Sequence, residues 1–502
     1  MTQFSDLLDI VSSFANEHHE RADRVSIAPR LTGARLRERF AGPAPTTGSP
    51  PDDVLRDLIK DADEGMLAST SSRFFGWVMG GNLPVALAAD WLVSVWDQNA
   101  AIVATSPASA AIEKTVGEWL KEMLRLDPEM SFALTTGCQM AHATCLAAAR
   151  NSVLARHGWD VEAEGMIGAP SIRIFTGSNV HASTGRAIRL LGFGTSSVTT
   201  IAEGEDGTLH PDALREAMEG VSGPSIVVLQ AGDLNIGAFD NYAELIPVAK
   251  KHGAWVHVDG AFGLWLRLSR SRSALTDGLE LADSIATDAH KWLNVPYDSG
   301  IAFVRDSDAH RRSMEVSASY IEKNSVIREP MDWTPEWSRR ARAIPLYAVI
   351  RHLGSEGLAD IVDRTCEITS ALAASFSAIP GVRVLNEPRI NQMLVRFLDD
   401  DPSAGEADHD RRTQEVVKFI NADGGAFFTT TEYRKQLVMR VSACGWSLTE
   451  EDVATVADCV RRAVETARSD AIFGPDVVEP VLVADQTFDG EEDGTQPDHS
   501  IR

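Results

Sequence analysis

From about Ser131 to Val304 the chain alternates short apolar runs with stretches of helical pattern. The runs are Ile172–Phe175, Val198–Ile201, Ser225–Gln230, Trp255–Asp259, Ser284–Thr287 and Gly300–Val304. Most are continuously apolar rather than alternating, which suits strands covered on both faces. Helical patterns fall between several of them, at Ala182–Leu191, Pro211–Glu219 and Tyr242–His252. This order predicts an α/β architecture, a mainly parallel sheet clothed by helices. Sheets of that kind bind ligands beyond the carboxyl ends of their strands.

The flanks read differently. The first forty residues have helical pattern, and 42–52, GPAPTTGSPPD, form a loop or linker. Helix resumes from Asp53 to about Glu64, breaks at Arg73–Pro84, and returns at Trp91–Trp96 and Ile112–Leu124. After about Pro345 a long helix through Ala378 leads to strands at Val382–Leu385, Asn391–Phe397 and about Leu437–Ser442. Helices follow near Arg412–Ala422 and Thr449–Arg468, and together these make a smaller α+β unit. The expected division is an N-terminal helical segment (1–110), a large ligand-binding domain (111–345), a small domain (346–470) and a tail (471–502). The tail carries eight acids and one base and reads as solvated and partly disordered.

Composition narrows the function. Of 502 residues, 44% are hydrophobic and 24% charged, which excludes disorder along the whole length. Forty-seven basic against seventy-two acidic residues give a net charge of −25. Such a surface repels phosphate backbones and anionic lipid, so neither nucleic acid nor membrane is an expected partner. No apolar run reaches the roughly 18 residues of a membrane span, and the N-terminus lacks the basic start and apolar core of a secretory signal. Five cysteines are odd in number, widely spread and without a CxxC pair. A reducing cytoplasm is expected, with neither a disulfide framework nor a metal site.

Four segments could carry chemistry. In Ser284–Val304 a strand end is followed by His290 and Lys291. A lysine in a desolvated pocket there could form a Schiff base, although by residue type alone a surface lysine is the commoner case. Asp259 ends the run AWVHVD. A carboxylate there needs a cation or strong donors. A protonated pyridine nitrogen would serve, and so would a helix N-terminus or a structural ion pair. In LTTGCQMAHATCLAAAR a turn opens an alanine-rich helix whose free N–H groups could face a phosphate. His181 begins another helix, either as a cap or core residue or as a ring able to stack on a planar cofactor.

The order and spacing of these segments resemble the pyridoxal-phosphate-dependent decarboxylases of the group that includes glutamate, aromatic-amino-acid and histidine decarboxylases. TDAHKWLNVPYDSG looks like that family's lysine signature over 14 residues, and HVDGAFG is similar to its HVDAA motif. TTGCQMAHATCLAAAR fits its phosphate-loop helix, with Cys138, Gln139 and Met140 unusual there. AGDLNIGAFD resembles its AGTT..GAFD turn, while RFFGWVMGGNLP and SPASAAIEKTVGEWL match its N-terminal segments. The likeness covers roughly residues 70–465.

The resemblance implies fold type I, with a mainly parallel seven-stranded sheet and a smaller C-terminal domain, assembled as a homodimer. It implies pyridoxal 5′-phosphate held by Lys291 through a Schiff base, with Asp259 on the pyridinium nitrogen and His181 stacked on the ring. Ala261 would pack on the other face. Cys138 and Gln139 would bind phosphate through main-chain N–H groups, and His290 would contact phosphate or substrate. Trp77 and Val78 would line the substrate pocket, and Arg440 would lie near the substrate carboxylate or the cofactor.

Two departures stand out. AGDL replaces AGTT, so Asp233 or Asn235 would contact the cofactor. The family's mobile loop carries a tyrosine, and Asn324–Trp337 has none, leaving Tyr320 or His290 as proton donor. The polar stretch from about Ser319 to Trp337 is expected to act as a lid. The activity implied is amino-acid decarboxylation. The alternatives are an aldehyde-forming, lyase-like or transaminase-like enzyme, or a catalytically silent scaffold. Phe75, Trp77 and Trp333 would suit an aromatic or apolar substrate, whereas Arg73, Arg328 and Arg440 would suit an acidic one.

Overall fold

The computed structural model of the chain describes residues 3–31, 33–316 and 328–468. Its larger sheet holds β1 (Ser131–Thr135), β2 (Arg173–Gly177), β3 (Val198–Ile201), β4 (Ser225–Gln230), β5 (Trp255–Asp259), β6 (Ser284–Asp288) and β7 (Gly300–Val304). They lie in the order β1-β7-β6-β5-β4-β2-β3. β2 to β6 run parallel, and β7 lies antiparallel to both β6 and β1. Every position of β1, β5, β6 and β7 is buried, which is why these segments are apolar without alternation. β1 was not among the expected strands, because its apolar stretch SFAL runs straight into the Thr-Thr-Gly turn.

Helix Cys138–Ala155 leaves that turn and packs under β5, β6 and β7. Its alanines at 143, 147, 148 and 149 are all buried, and small side chains allow that close approach. The long helix after Pro345 spans Ala343–Ser377 but is two helices, broken at Gly354 with φ 60°. Glycine adopts that left-handed geometry without a Cβ clash.

A second, antiparallel sheet holds β8 (Val382–Val384), β9 (Gln392–Phe397), β10 (Thr429–Tyr433) and β11 (Gln436–Ser442), in the order β10-β11-β9-β8. β10 was not expected, since Thr-Thr-Thr-Glu-Tyr has no apolar face and only Thr431 is buried. The N-terminal part of the chain laces onto this sheet. The Phe75 N–H donates to the Phe427 carbonyl (2.9 Å), and the Phe75 carbonyl accepts from the Ser442 N–H (3.1 Å). The Phe75 ring stacks on Phe428 at 5.2 Å inside the small core. Burial of such a ring contributes about 1.5–3 kcal/mol.

The expected lid is corrected in its second half. Arg328 pairs with buried Glu113 (3.2 Å) and lies 4.1 Å over the Phe132 ring. Arg339 joins the same carboxylate at 2.9 Å, and Pro330 to Asp332 are buried. From Arg328 to Asp332 the segment is anchored against Glu113 and Phe132 rather than standing free as a loop. Tyr320 and the rest of the expected lid lie outside the described residues.

Candidate active site

The carboxyl ends of β4, β5 and β6 open on a cavity of about 200 Å³. The sheet supplies Gln230 and Asp259 at strand ends, with Ala261 and Phe262 just beyond. The turn after β4 supplies Gly232 and Leu234, and the loop after β6 supplies Lys291. His181, Trp77, Val78 and Arg440 complete the lining. Seven of the expected site residues therefore share one cavity: Lys291, Asp259, His181, Ala261, Trp77, Val78 and Arg440.

Lys291 sits on a tightly packed loop. A Cβ on Gly80 would lie 2.0 Å from the Lys291 carbonyl oxygen, so only glycine lets the N-terminal segment cross there. Asn294 ties this crossing together. Its Oδ1 accepts from the Gly81 N–H (2.8 Å), and its Nδ2 donates to the carbonyls of Trp292 (2.8 Å) and Cys444 (3.0 Å). Lys291 Nζ stands 3.1 Å from Asp288 Oδ2. Burial works against its charge, but Asp288 foremost, with Cys138 and Asp259 after it, outweighs it and holds the ammonium above the ordinary lysine range. Trp77 has φ 50°, an uncommon strain for a bulky residue, and is held there between Phe74 and Phe427.

Asp259 is buried at the end of β5. Its Oδ1 accepts from the Ala261 N–H (3.1 Å), and its Oδ2 lies 3.3 Å from both Thr184 Oγ1 and His142 Nε2. Burial pushes the carboxyl up, but His142, His181 and Lys291 prevail and hold it far below the usual carboxylate range. His181 caps helix Ala182–Leu190 by accepting the Ser183 N–H on Nδ1 (3.2 Å), at the exposed mouth of the cavity.

Cys138, Gln139 and His290 stand one layer behind the lining. The Cys138 N–H, first in its helix, donates to Asp288 Oδ1 at 2.6 Å. Gln139 Oε1 accepts from Arg186 (3.4 Å). His290 accepts the Ser299 N–H on Nδ1 (3.2 Å) and approaches Asp288 with Nε2 (3.5 Å), and burial lowers its pKa. A Cβ on Gly137 would lie 3.3 Å from the His290 ring, and one on Gly300 only 2.4 Å from the Gly137 backbone. The helix start is thus pressed against β7 and the lysine loop.

Several expectations are corrected. Asp233 does not line the cavity. Its carboxylate accepts the N–H groups of Asn235 (2.9 Å) and Ile236 (2.8 Å), an Asx-type turn. Asn235 likewise is not among the lining residues, and Gly232 and Leu234 take that place. Phe75 belongs to the small core, and Trp333 packs against His310 (5.2 Å). Arg73 donates to the carbonyls of Gly425 (2.6 Å) and Asp23 (2.7 Å), and Arg328 is bound to Glu113. Of the three arginines offered for an acidic substrate, Arg440 alone remains in the cavity wall.

Sequence reasoning missed Asp288, Asn294, Thr184, Gln230, His142 and His257. For the last two a signal existed. Cys138 and His142 stand four apart on a helix, and His257 shares a strand face with Asp259.

Residues 35–397 match the pyridoxal-dependent decarboxylase conserved domain. An aromatic-L-amino-acid decarboxylase of Bacillus atrophaeus is 25% identical over 89% of this chain and 93% of its own. A 4-hydroxyphenylacetaldehyde synthase of Rhodiola rosea is 24% identical, over 93% and 96%. The crystal structure of Oryza sativa TDC with PLP and tryptamine shares the fold, with a TM-score of 0.85 at 23% identity over 93% and 99%.

Proposed function

The chain belongs to the pyridoxal-dependent decarboxylase family, and from that premise we propose that it decarboxylates an apolar or aromatic L-amino acid using pyridoxal 5′-phosphate carried on Lys291. The observation that carries this reading is the convergence of Lys291, Asp259 and His181 on one cavity. The donor set fits the cofactor. The primary amine and the ionised buried carboxylate would meet an aldehyde and a ring nitrogen, and the helix N-terminus just behind the lining would meet a phosphate. The Gln230 side-chain Nε2, buried in the wall, has no hydrogen-bond partner among the described residues.

When bound, pyridoxal 5′-phosphate supplies the electron sink for the pair left as CO₂ departs. Lys291 would hold its carbonyl carbon, and Asp259 would keep the ring nitrogen protonated. His181 and Ala261 would cover the two ring faces. Cys138, Gln139 and His290 would line the phosphate side, with Asp288 yielding the Cys138 N–H. Arg440 would orient the substrate carboxylate, a charge-assisted contact strengthened by burial. Trp77, Val78, Leu234 and Phe262 would exclude water and receive the side chain. Lys291, freed from Asp288, would carry protons at the reacting carbon.

A second reading has its own support. Asn324–Trp337 contains no tyrosine, and one relative is named as an aldehyde synthase. In that outcome oxygen and water are consumed and the products are aldehyde, CO₂, ammonia and hydrogen peroxide. A screen of the twenty amino acids for CO₂ release tests both, with amine, aldehyde and peroxide quantified. CO₂ with amine from tryptophan, tyrosine or phenylalanine is expected. CO₂ from glutamate or aspartate alone overturns the substrate assignment, and stoichiometric peroxide shifts the product to aldehyde.

The protein is also proposed to be a cytoplasmic homodimer of the four segments outlined above. All five cysteines are free and buried, and among the described residues no helix is long and apolar enough to cross a membrane. On helix Pro84–Trp96 the residues Trp91, Leu92, Val95 and Trp96 are exposed, a patch that calls for a partner. Trp119 and Leu120, on the next helix, pack within the chain, Trp119 stacked on Tyr347 at 5.2 Å. Light scattering should give twice the chain mass. A dilute monomer with full activity would exclude the dimer.

A further inference from the structure

Behind Asp259 runs a line of polar side chains that the proposed roles leave unused. We propose that His142, backed by His257, Ser284 and Trp255, is a positioning residue that holds Asp259 ionised and fixed in direction for the ring nitrogen of the cofactor. The inference rests on the reading of Asp259 as the partner of that nitrogen.

The line is continuous. His142 Nε2 lies 3.3 Å from Asp259 Oδ2, and its Nδ1 lies 2.8 Å from His257 Nε2. His257 Nδ1 lies 2.9 Å from Ser284 Oγ, which accepts from Trp255 Nε1 at 2.8 Å. The two imidazoles meet edge to face and are fully buried. Both ends have one possible role. An indole N–H only donates, and an ionised carboxylate only accepts. His142 Nε2 stands 3.3 Å from both Asp259 Oδ2 and Cys138 Sγ, and its contact with the acceptor-only carboxylate calls for a proton on that nitrogen, with the Cys138 sulfur as a second, weaker acceptor. Burial, then His142, pushes the His257 pKa down to about 3, so His257 stays neutral. Its ring is pinned by Ser284 and in turn fixes the His142 ring.

Buried polar groups are costly unless fully paired, and apolar residues could fill this layer of a parallel sheet more cheaply. Here the pairing ends on Asp259, the one carboxylate in the cavity lining among the described residues. Asp259 is faced by His142 and Thr184 on Oδ2 and by the Ala261 N–H on Oδ1, with Cys138 Sγ 4.0 Å from Oδ1. Lys291 and His181 are the other charged or titratable groups acting on it. A carboxylate has about four acceptor positions. His142, Thr184 and the Ala261 N–H take three, and the fourth is held only by the weak Cys138 thiol donor at 4.0 Å, which a stronger donor in the cavity would displace.

Without His142 the carboxylate would bind a proton more tightly, and the ring nitrogen would surrender its own more readily. The test uses holoenzyme reconstituted with ¹⁵N-ring-labelled pyridoxal phosphate, following the nitrogen chemical shift against pH. Wild type should stay protonated through neutral pH. His142→Leu should lower the proton affinity of that nitrogen by about tenfold or more, equivalent to at least one pH unit. His142→Gln should recover most of it, since its amide can donate to Asp259 and accept from His257. Ser284→Ala should shift the nitrogen in the same direction by less. If folded His142→Leu, with cofactor bound, titrates like wild type, the relay is wrong. Should that variant fail to fold, Ser284→Ala decides, and an unchanged titration overturns the relay. Asp259→Asn is the control for the underlying reading. If it too leaves the shift unmoved, Asp259 is not the nitrogen's partner.

Discussion

Lys291→Ala should reduce turnover by roughly 10³-fold or more, because it removes both the covalent anchor and a proton carrier. The fold should survive. The side chain enters the cavity rather than the core, and the loop is held independently by Asn294 and by the Gly80 crossing. Removing the ammonium leaves Asp288 without its partner at 3.1 Å, so part of any loss could come from that carboxylate. Lys291→Arg separates the two effects, since it keeps a cation beside Asp288 but offers no primary amine. Both variants should lose the visible absorbance of covalently held cofactor. In wild type, borohydride reduction followed by peptide mass spectrometry should find the cofactor on the Lys291 peptide. A label on another lysine, or an active Lys291→Arg variant, would remove Lys291 from the mechanism.

How much of this was legible in the chain depends on where the partners lie. The strands β4, β5, β6 and β7 could be bounded almost to the residue, since burial on both faces writes a continuous apolar run. β10 could not, because its edge position lets polar residues form a strand. The lysine, aspartate and helix-turn segments were readable as local patterns, and each sits at the carboxyl edge of the larger sheet. The relay behind Asp259 was not, because His142 and His257 are 115 positions apart and only packing brings a helix face onto a strand face. The same holds for the supposed lid. The polar look of 328–337 concealed the ion pair of Arg328 with Glu113, 215 positions away. Asp233 shows a different limit of sequence reading. An aspartate in a turn beside a ligand site satisfies its own backbone as readily as a ligand, and composition does not distinguish the two.

Asp259→Asn is the second large effect, a fall in turnover of about 10²–10³-fold, the usual cost of losing one preorganised electrostatic contact to a developing charge. The structure explains why so small a change matters. The carboxylate accepts from His142, Thr184 and the Ala261 N–H, all of which need an acceptor. An asparagine NH₂ must face one of those donors, so one buried contact is lost along with the charge. The variant should therefore be less stable by about 1–3 kcal/mol while remaining folded. Asp259→Glu keeps the charge but displaces it by one methylene, and should fall between wild type and Asn. Two measurements separate chemistry from damage. Thermal unfolding without cofactor reports the lost contact alone. Single-turnover CO₂ release at saturating substrate reports the lost electron sink. If Asp259→Asn is destabilised but releases CO₂ at the wild-type rate, Asp259 is only a structural acceptor for His142 and Thr184, and the electron sink must be maintained by another group.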